Sequence, residues 1–532
     1  MENIINIINF IRGLEPRKDH VSDLETPVEM QLALMRQHGL RGTFLVQYDA
    51  LKEPYLTLLR ENSDICEVGM WLEIVQPLVE AAGEVWHGRY PWDWYNDVGY
   101  LIGYEPDVRR KILDCAMKGF HDQFGKYPSC VGAWHMDAVS LRHLSEHYGI
   151  DACCICREQV GSDGYTLQGG YYNQAYYPSE NNCFCPAGDA SKQLNVPVFR
   201  MLGSDPIYAY DYRKYPYAFG RNTPTLEPIG LGGRENWCDW FFQETFGGNG
   251  LAFQYTQAGQ ENSFGWKSMK NGIEYQFAKL GELAKAGTVK LQTLSESGAW
   301  YKSTFPVTPP TTLTALNDWQ NEGRQSLWYN SRFWRTNLLM EDGKVFLRDI
   351  YLFDDRYREK YLTARCETTA CEYRNLPVMD GFLYSSREKR AGVFICQGEE
   401  AVHWDDLTYT ESNNTAEVTL IRGDERLYLR FTERTLSMET VMPDITLIPV
   451  YDPDYVFGRQ SMTLGNHNNS NIGVTYITSA AVTERDMRFC FDGFDYGIHA
   501  VHGVFNDDYS VTPESDRIEI DFSKRCMNME TL

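Results

Sequence analysis

Two rhythms of apolar and polar positions divide the chain. Over roughly the first 300 residues, short apolar runs alternate with stretches whose apolar residues recur every three to four positions. Residues 5–11 form the first run, which ends in Arg12-Gly13-Leu14-Glu15-Pro16-Arg17. A helix follows, with Thr26 as its N-cap, Pro27 at its first position, Glu29 completing a capping box and Gly39 ending it. Val28, Leu32 and Met35 share one face of this helix. The next runs predict strands over 42–47, 66–72, 130–134, 151–156, 196–202, 251–255 and 289–294. Helical periods cover 106–124, 139–148 and 269–286, and 86–103 reads as a loop over one face. About eight β runs separated mostly by helices predict parallel strands closing into a (β/α) barrel.

The second rhythm begins after residues 304–312, which carry Pro306, Pro309 and Pro310 and read as a linker. Beyond it, apolar runs over 327–334, 345–353, 392–396, 416–422, 426–431 and 446–450 are joined by polar turns with no long helix between them. This is the pattern of an antiparallel β-sandwich. The expected class is α/β, a TIM-like (β/α)7–8 barrel followed by a C-terminal β-sandwich. The expected domains are a barrel over 1–303, a linker over 304–312 and a sandwich over 313–532.

Charge narrows the partners. Fifty Lys and Arg against 73 Asp and Glu give a formal net charge of −23, which disfavours nucleic acid and anionic membrane surfaces. No segment approaches the roughly 20 apolar residues of a membrane helix. The N-terminal residues lack the basic start and cleavage site of a signal peptide. Many of the 14 Cys lie in apolar runs, so reduced thiols and a cytoplasmic location are expected. Cys183 and Cys185 lack a second pair at zinc-finger spacing, so no metal or other cofactor is expected. Aromatic residues reach 14% and crowd 86–104, 165–177 and 208–219. Placed in loops over the barrel, they would form the aromatic walls of a pocket.

In a parallel barrel the site forms at the carboxyl ends of the strands, so the residues just after each run are the informative ones. They include Arg12 and Glu15, then Gln47, Tyr48 and Asp49, then Trp71 and Glu73, then Trp134, His135 and Asp137, then Arg157, then Arg200 and Asp205, and then Gln257 and Glu261. Paired carboxylates suit glycosidic hydrolysis, one protonating the leaving oxygen while the other attacks or activates water. Arginines suit a carboxylate-bearing sugar such as a sialic or uronic acid. Plainer readings stand beside these. Asp137 precedes a helix and fits an N-cap. Glu73 fits a solvated charge at a helix start, and His135 a hydrogen-bonded rim residue. Glu15, between Arg12 and Arg17, fits a structural ion-pair network.

Residues 40–152 resemble the glycoside hydrolase/deacetylase superfamily. Arg41-Gly42-Thr43-Phe44-Leu45-Val46 resembles the second-strand segment of polysaccharide deacetylases. Glu67-Val68-Gly69-Met70-Trp71 resembles the third, and Phe124-Gly125-Lys126-Tyr127-Pro128 with Val131-Gly132-Ala133 the next. The resemblance implies the barrel. It also implies a metal site of one Asp and two His, but here the His positions are Trp71 and Val75 and the first strand ends in Leu14-Glu15-Pro16. Other members, metal-independent or metal-assisted glycosidases with a β-sandwich after the barrel, carry catalytic carboxylates on the fourth and seventh strands, which the resemblance implies here at Asp137 and Glu261.

The expected function is therefore hydrolysis of a glycosidic bond in a small carbohydrate. Asp137, His135, Glu261, Glu73 and Glu15 are the catalytic candidates, and Tyr48, Trp71, Trp134, Arg157, Arg200, Asp205 and Gln257 the substrate-binding ones. The alternatives are a metal-dependent deacetylase with diverged ligands and a non-catalytic sugar-binding protein. Homo-oligomerisation is left open.

Overall fold

The computed structural model describes residues 1–15, 23–156, 170–201, 203–211, 225–369, 371, 373–381, 384–386, 389–453, 461–463, 471–473 and 477–524. Its amino-terminal half is built on β1 (Glu2–Ile11), β2 (Gly42–Gln47), β3 (Cys66–Trp71), β4 (Cys130–Ala133) and β5 (Ala152–Ile155). After β5 come the short strands β6 (Ala175–Tyr176), β7 (Pro178–Ser179) and β8 (Asn182–Pro186), and then β9 (Val198–Arg200), β10 (Phe253–Ala258) and β11 (Lys290–Gln292). The strand order is β10-β1-β2-β3-β4-β5-β9-β6, parallel throughout except β6. β11 lies parallel to Ile4–Asn6 at the amino end of β1. The result is a nearly closed parallel barrel, as the alternation of runs and helices predicts.

Helices α1 (Glu25–His38), α2 (Tyr55–Glu61), α3 (Gln76–Ala81), α4 (Pro106–Phe124), α5 (Ala138–Tyr148), α6 (Glu235–Gly247), α7 (Trp266–Lys285) and α8 (Leu294–Thr304) surround it. The expected Thr26 cap is corrected. Asp23 Oδ1 accepts the N–H groups of Glu25 and Thr26, and the helix starts at Glu25, two residues earlier than expected.

Alternation along β1 sorts its two faces. Ile4, Ile8 and Phe10 join Leu45 and Trp71 inside the barrel, while Ile5, Ile7 and Ile11 pack outward with Val28 and Met35 of α1. Arg12 continues the inward set.

The carboxyl-terminal half is a sandwich of a ten-stranded and an eight-stranded sheet. Period-2 burial is clear in Thr415–Arg422, where Ala416, Val418 and Leu420 are buried and join the core between the sheets. The Pro-rich stretch is packed rather than free. Thr304 closes α8 and Thr311–Ala315 is already a sandwich strand. Thr308 Oγ1 accepts the Tyr177 N–H at 2.9 Å, and Pro309 O accepts the Tyr171 hydroxyl at 3.1 Å.

A second connection returns to the barrel. Arg109 of α4 donates to Tyr361 O at 2.6 Å and to Ala364 O at 2.8 Å, and Asn96 donates to Thr369 O at 3.0 Å. Residues 359–369 therefore lie over the barrel loops.

Candidate functional site

Three strand ends meet at Arg12. The side chain is 3% exposed. Its Nε and Nη2 grip Glu73 in a bidentate pair at 2.8 and 2.7 Å. Nη1 reaches Glu261 Oε1 at 2.8 Å and Ser263 Oγ at 2.9 Å. The guanidinium lies 4.4 Å from the Trp92 ring centroid, a cation–π contact. Burial works against the Arg12 charge, but Glu261, Glu73 and Glu15 outweigh it and hold its pKa well above the ordinary value. Its backbone is pinned as well, since Arg12 N–H donates to Asn262 Oδ1 at 2.9 Å and Asn262 Nδ2 returns a bond to Arg12 O at 3.0 Å.

Each carboxylate has its own support. Glu73, two residues past β3, is fully buried and also accepts the indole N–H of Trp134. Below it Trp71 stacks on Phe10 at 4.1 Å, and Trp134 meets both rings edge-on at 5.8 and 5.7 Å. Glu261 follows β10 through Gly259, whose φ is +111°. A Cβ there would lie 2.2 Å from Ile8 O, so glycine lets this exit swing against β1. Ser263 Oγ donates to Glu261. One oxygen of each carboxylate thus lies within 2.8 Å of a nitrogen of the same guanidinium.

Beside this cluster, several buried polar atoms have no protein partner. Both amide atoms of Gln47, Asp49 Oδ2 and Trp71 Nε1 are in this class. Gln47 follows Leu45 on the inward face of β2 and pairs in register with Trp71. Burial pushes the Asp49 carboxyl up to about 6 and the nearby Glu73 charge adds to this, against a bond from Gly13 N–H and the Lys52 charge.

The other expected site residues go elsewhere. Asp137 caps α5, its Oδ1 accepting Ser140 N–H at 2.9 Å and its Oδ2 the Ser140 hydroxyl at 2.7 Å, with Arg109 at 3.1 Å. Glu359 closes the same helix end, accepting Ala138 N–H at 2.9 Å and Cys183 N–H at 2.8 Å. Burial and then the Asp137 charge raise its pKa. His135 Nε2 meets Asn96 Oδ1 at 2.7 Å between the rings of Tyr100 and Tyr373, and burial lowers its pKa to about 3.

Asp205 is spent on structure, accepting two backbone N–H groups and the indoles of Trp237 and Trp319. Tyr48 lies in the 3-10 turn Tyr48–Ala50 and packs outward under Gly119 of α4. Arg200 pairs in register with Ile155 and lies within electrostatic reach of the Cys183 thiol, which also feels Asp137 and Glu359. Gln257 is buried opposite Asn6. Glu15 is half-buried and contributes to the field at Arg12. Arg157 lies outside the described residues. The structure thus gathers Glu73, Glu261, Trp71 and Trp134, with Glu15 nearby. The central Arg12 is among the strand-end residues read from the sequence but not among the site candidates, and Trp92, Ser263 and Asn262 are not candidates either.

The expected aromatic walls are corrected over 171–177, while 165–169 and 212–219 lie outside the described residues. Tyr171, Tyr172, Tyr176 and Tyr177 are at most 2% exposed. Tyr172 stacks on Trp328 of the sandwich at 3.9 Å, so these rings fill the junction of the two halves.

The metal site that the resemblance implies does not fit these residues. Trp71 stands in the aromatic stack, and Val75 is buried and bridges to Trp92. Among the described residues no group of three or more His, Cys, Asp or Glu is placed to hold a metal ion. A guanidinium, not a ligand set, joins Glu73 to Glu261.

Among known proteins, no family model matches the chain and no curated protein does. Solved structures do. A structure assigned as a glycoside hydrolase/deacetylase from Parabacteroides distasonis has a TM-score of 0.50 at 13% identity, covering 71% of this chain and 89% of that one. One assigned as a polysaccharide deacetylase from Mycobacterium smegmatis has a TM-score of 0.35 at 13% identity, covering 58% and 93%. At 13% identity the likeness to the Parabacteroides structure is one of fold.

Proposed function

We propose that the protein is a carbohydrate-active hydrolase whose centre is the Glu73–Arg12–Glu261 cluster. The observation that carries this reading is the pair of buried carboxylates held on one guanidinium at the carboxyl ends of β1, β3 and β10. Arg12 bridges the two, and Trp134 and two guanidinium nitrogens donate to Glu73 and hold its carboxylate in place. A fixed anion there stabilises the positive charge that develops on a sugar ring as its glycosidic bond breaks. Glu261, at the end of a different strand, is the group assigned to proton transfer.

Removal of an acetyl group is the second reading, supported by the name of the Parabacteroides neighbour, which covers both activities. Poor fit to a metal counts against its metal-dependent form. A panel of aryl glycosides and acetylated sugars, assayed with and without added Zn²⁺ or Co²⁺, separates the two. Aryl release without metal, abolished by Glu261→Gln, supports glycosidic cleavage. Acetate release stimulated by metal replaces it with deacetylation, and no turnover on either set overturns the hydrolase reading.

A further inference from the structure

At the carboxyl ends of β2 and β3 lies a set of polar atoms that the Arg12 cluster does not use. Gln47 is fully buried, yet neither its amide oxygen nor its amide nitrogen has a partner. Trp71 is fully buried and its indole N–H is unpaired. Asp49 Oδ2 is also buried and unpaired, while Oδ1 accepts Gly13 N–H at 3.2 Å. Desolvating such groups without replacing their hydrogen bonds is costly, so they call for partners that a bound water or a ligand would supply.

Gln47 and Trp71 are register neighbours across β2 and β3, and Arg12 follows the β1 residue paired with Val46. The unpaired set and the Arg12 cluster therefore adjoin. Together the set offers N–H donors on Gln47 and Trp71 and acceptors on Gln47 and Asp49. A hydroxyl both donates and accepts, so vicinal hydroxyls can satisfy this mixture, whereas a carboxylate only accepts.

Charge points the same way. Four of the five Arg12 N–H donors are taken, two by Glu73 on one edge and two by Glu261 and Ser263 on the other. One cation against two contacting carboxylates leaves −1 before Asp49 and Glu15 are counted. Arg200, the other described strand-end arginine considered for substrate, lies toward Cys183 instead. An acidic sugar entering here would meet like charge and no open guanidinium edge.

We propose that Gln47, Trp71 and Asp49 form a recognition subsite for an uncharged polyhydroxylated ring, and that the site rejects acidic sugars. This rests on the hydrolase reading for the identity of the pocket but not for its chemistry. It replaces the sialic or uronic acid suggested by the count of arginines in the sequence.

The test is calorimetric titration of the full chain with methyl glucoside, methyl galactoside, methyl xyloside and methyl glucuronide. At least one neutral glycoside is expected to bind, with methyl glucuronide about tenfold weaker or undetectable. Gln47→Leu, which removes both amide atoms in a similar shape, should weaken neutral binding by about tenfold while the unfolding midpoint stays or rises. Trp71→Phe is the second variant, because it deletes the indole N–H and keeps a ring on Phe10. Equal or tighter glucuronide binding, unchanged binding in both variants, or no neutral binding would each overturn the proposal. Neutral binding that depends on Gln47 but leads to no turnover would overturn the hydrolase reading and leave this one standing.

Discussion

At the end of β4, Asp137, Arg109 and Glu359 close on one another and on backbone groups of α5, Tyr361, Ala364 and Cys183. At the ends of β1, β3 and β10, Arg12, Glu73 and Glu261 also form a buried ionic cluster, but its neighbours Gln47, Asp49 and Trp71 carry unpaired polar atoms. The two clusters share their chemistry and differ in what surrounds them. In the first, the charges are consumed in capping a helix and clasping residues 359–364 of the sandwich half onto the barrel. In the second, a rigid ionic core is set beside groups that still need partners. The buried Tyr373 hydroxyl beside the first cluster is also unpaired, so what marks the second is the gathering of three such side chains at adjacent strand ends.

The comparison can be broken most forcefully at its two arginines. Arg12→Ala leaves Glu73 and Glu261 buried without their cation, and Arg109→Ala does the same to Asp137. Each should cost about 3–5 kcal/mol in urea unfolding. Arg12→Lys separates charge from geometry. It should recover part of the stability but little activity, because one ammonium cannot replace the planar fork.

Glu261→Gln comes next. It should lower kcat by about 10²–10⁴-fold in a substrate-saturated assay, the span of a lost proton-transfer group, with an unfolding midpoint near that of the parent.

A smaller effect is the pH dependence of stability. His135 is held neutral down to about pH 3, whereas the unfolded residue takes a proton near 6.5. Unfolding therefore takes up a proton between these values, so the His135 contribution falls as pH drops from 6.5 toward 3. At pH 5 this amounts to about 2 kcal/mol. Asp49, raised to about 6, acts in the opposite sense. The native state holds its proton first, so its contribution grows as pH falls from 6 to about 4. Urea midpoints across pH 4–7 should show a shallower acid loss for His135→Phe and a steeper one for Asp49→Asn.

The smallest expected effect on activity belongs to Asp137→Asn. Asn caps a helix about as well as Asp, but the buried Arg109 loses its carboxylate partner, so stability should drop by about 3 kcal/mol while activity stays within about twofold.

Much of this architecture is legible in the sequence because it is local. The alternation in β1, the glycine stops after α1, α4 and α5, and Asp137 three residues before Ser140 all follow from neighbouring residues. The centre is less legible because it is not local. Arg12 meets Glu261 across 249 positions, and only the return of β10 beside β1 brings them together. Tyr48 misleads because the chain turns into a 3-10 helix at the strand end and rotates the ring out to α4. The tyrosines over 171–177 read as loop aromatics, yet they are buried by the sandwich that docks from more than 100 residues away. α6 escapes a simple periodic reading because Trp237, Trp240, Phe241, Phe242 and Phe246 bury nearly all of its sides.

The most direct measurement sets the two clusters against each other. It is kcat/KM of Glu261→Gln and of Asp137→Asn, assayed side by side on the best aryl glycoside or acetylated sugar from the panel. The account predicts a loss of at least about 100-fold for Glu261→Gln and at most about twofold for Asp137→Asn. Equal losses, or a larger loss at Asp137 in a protein that still folds, would place the chemistry at the end of β4 and contradict it.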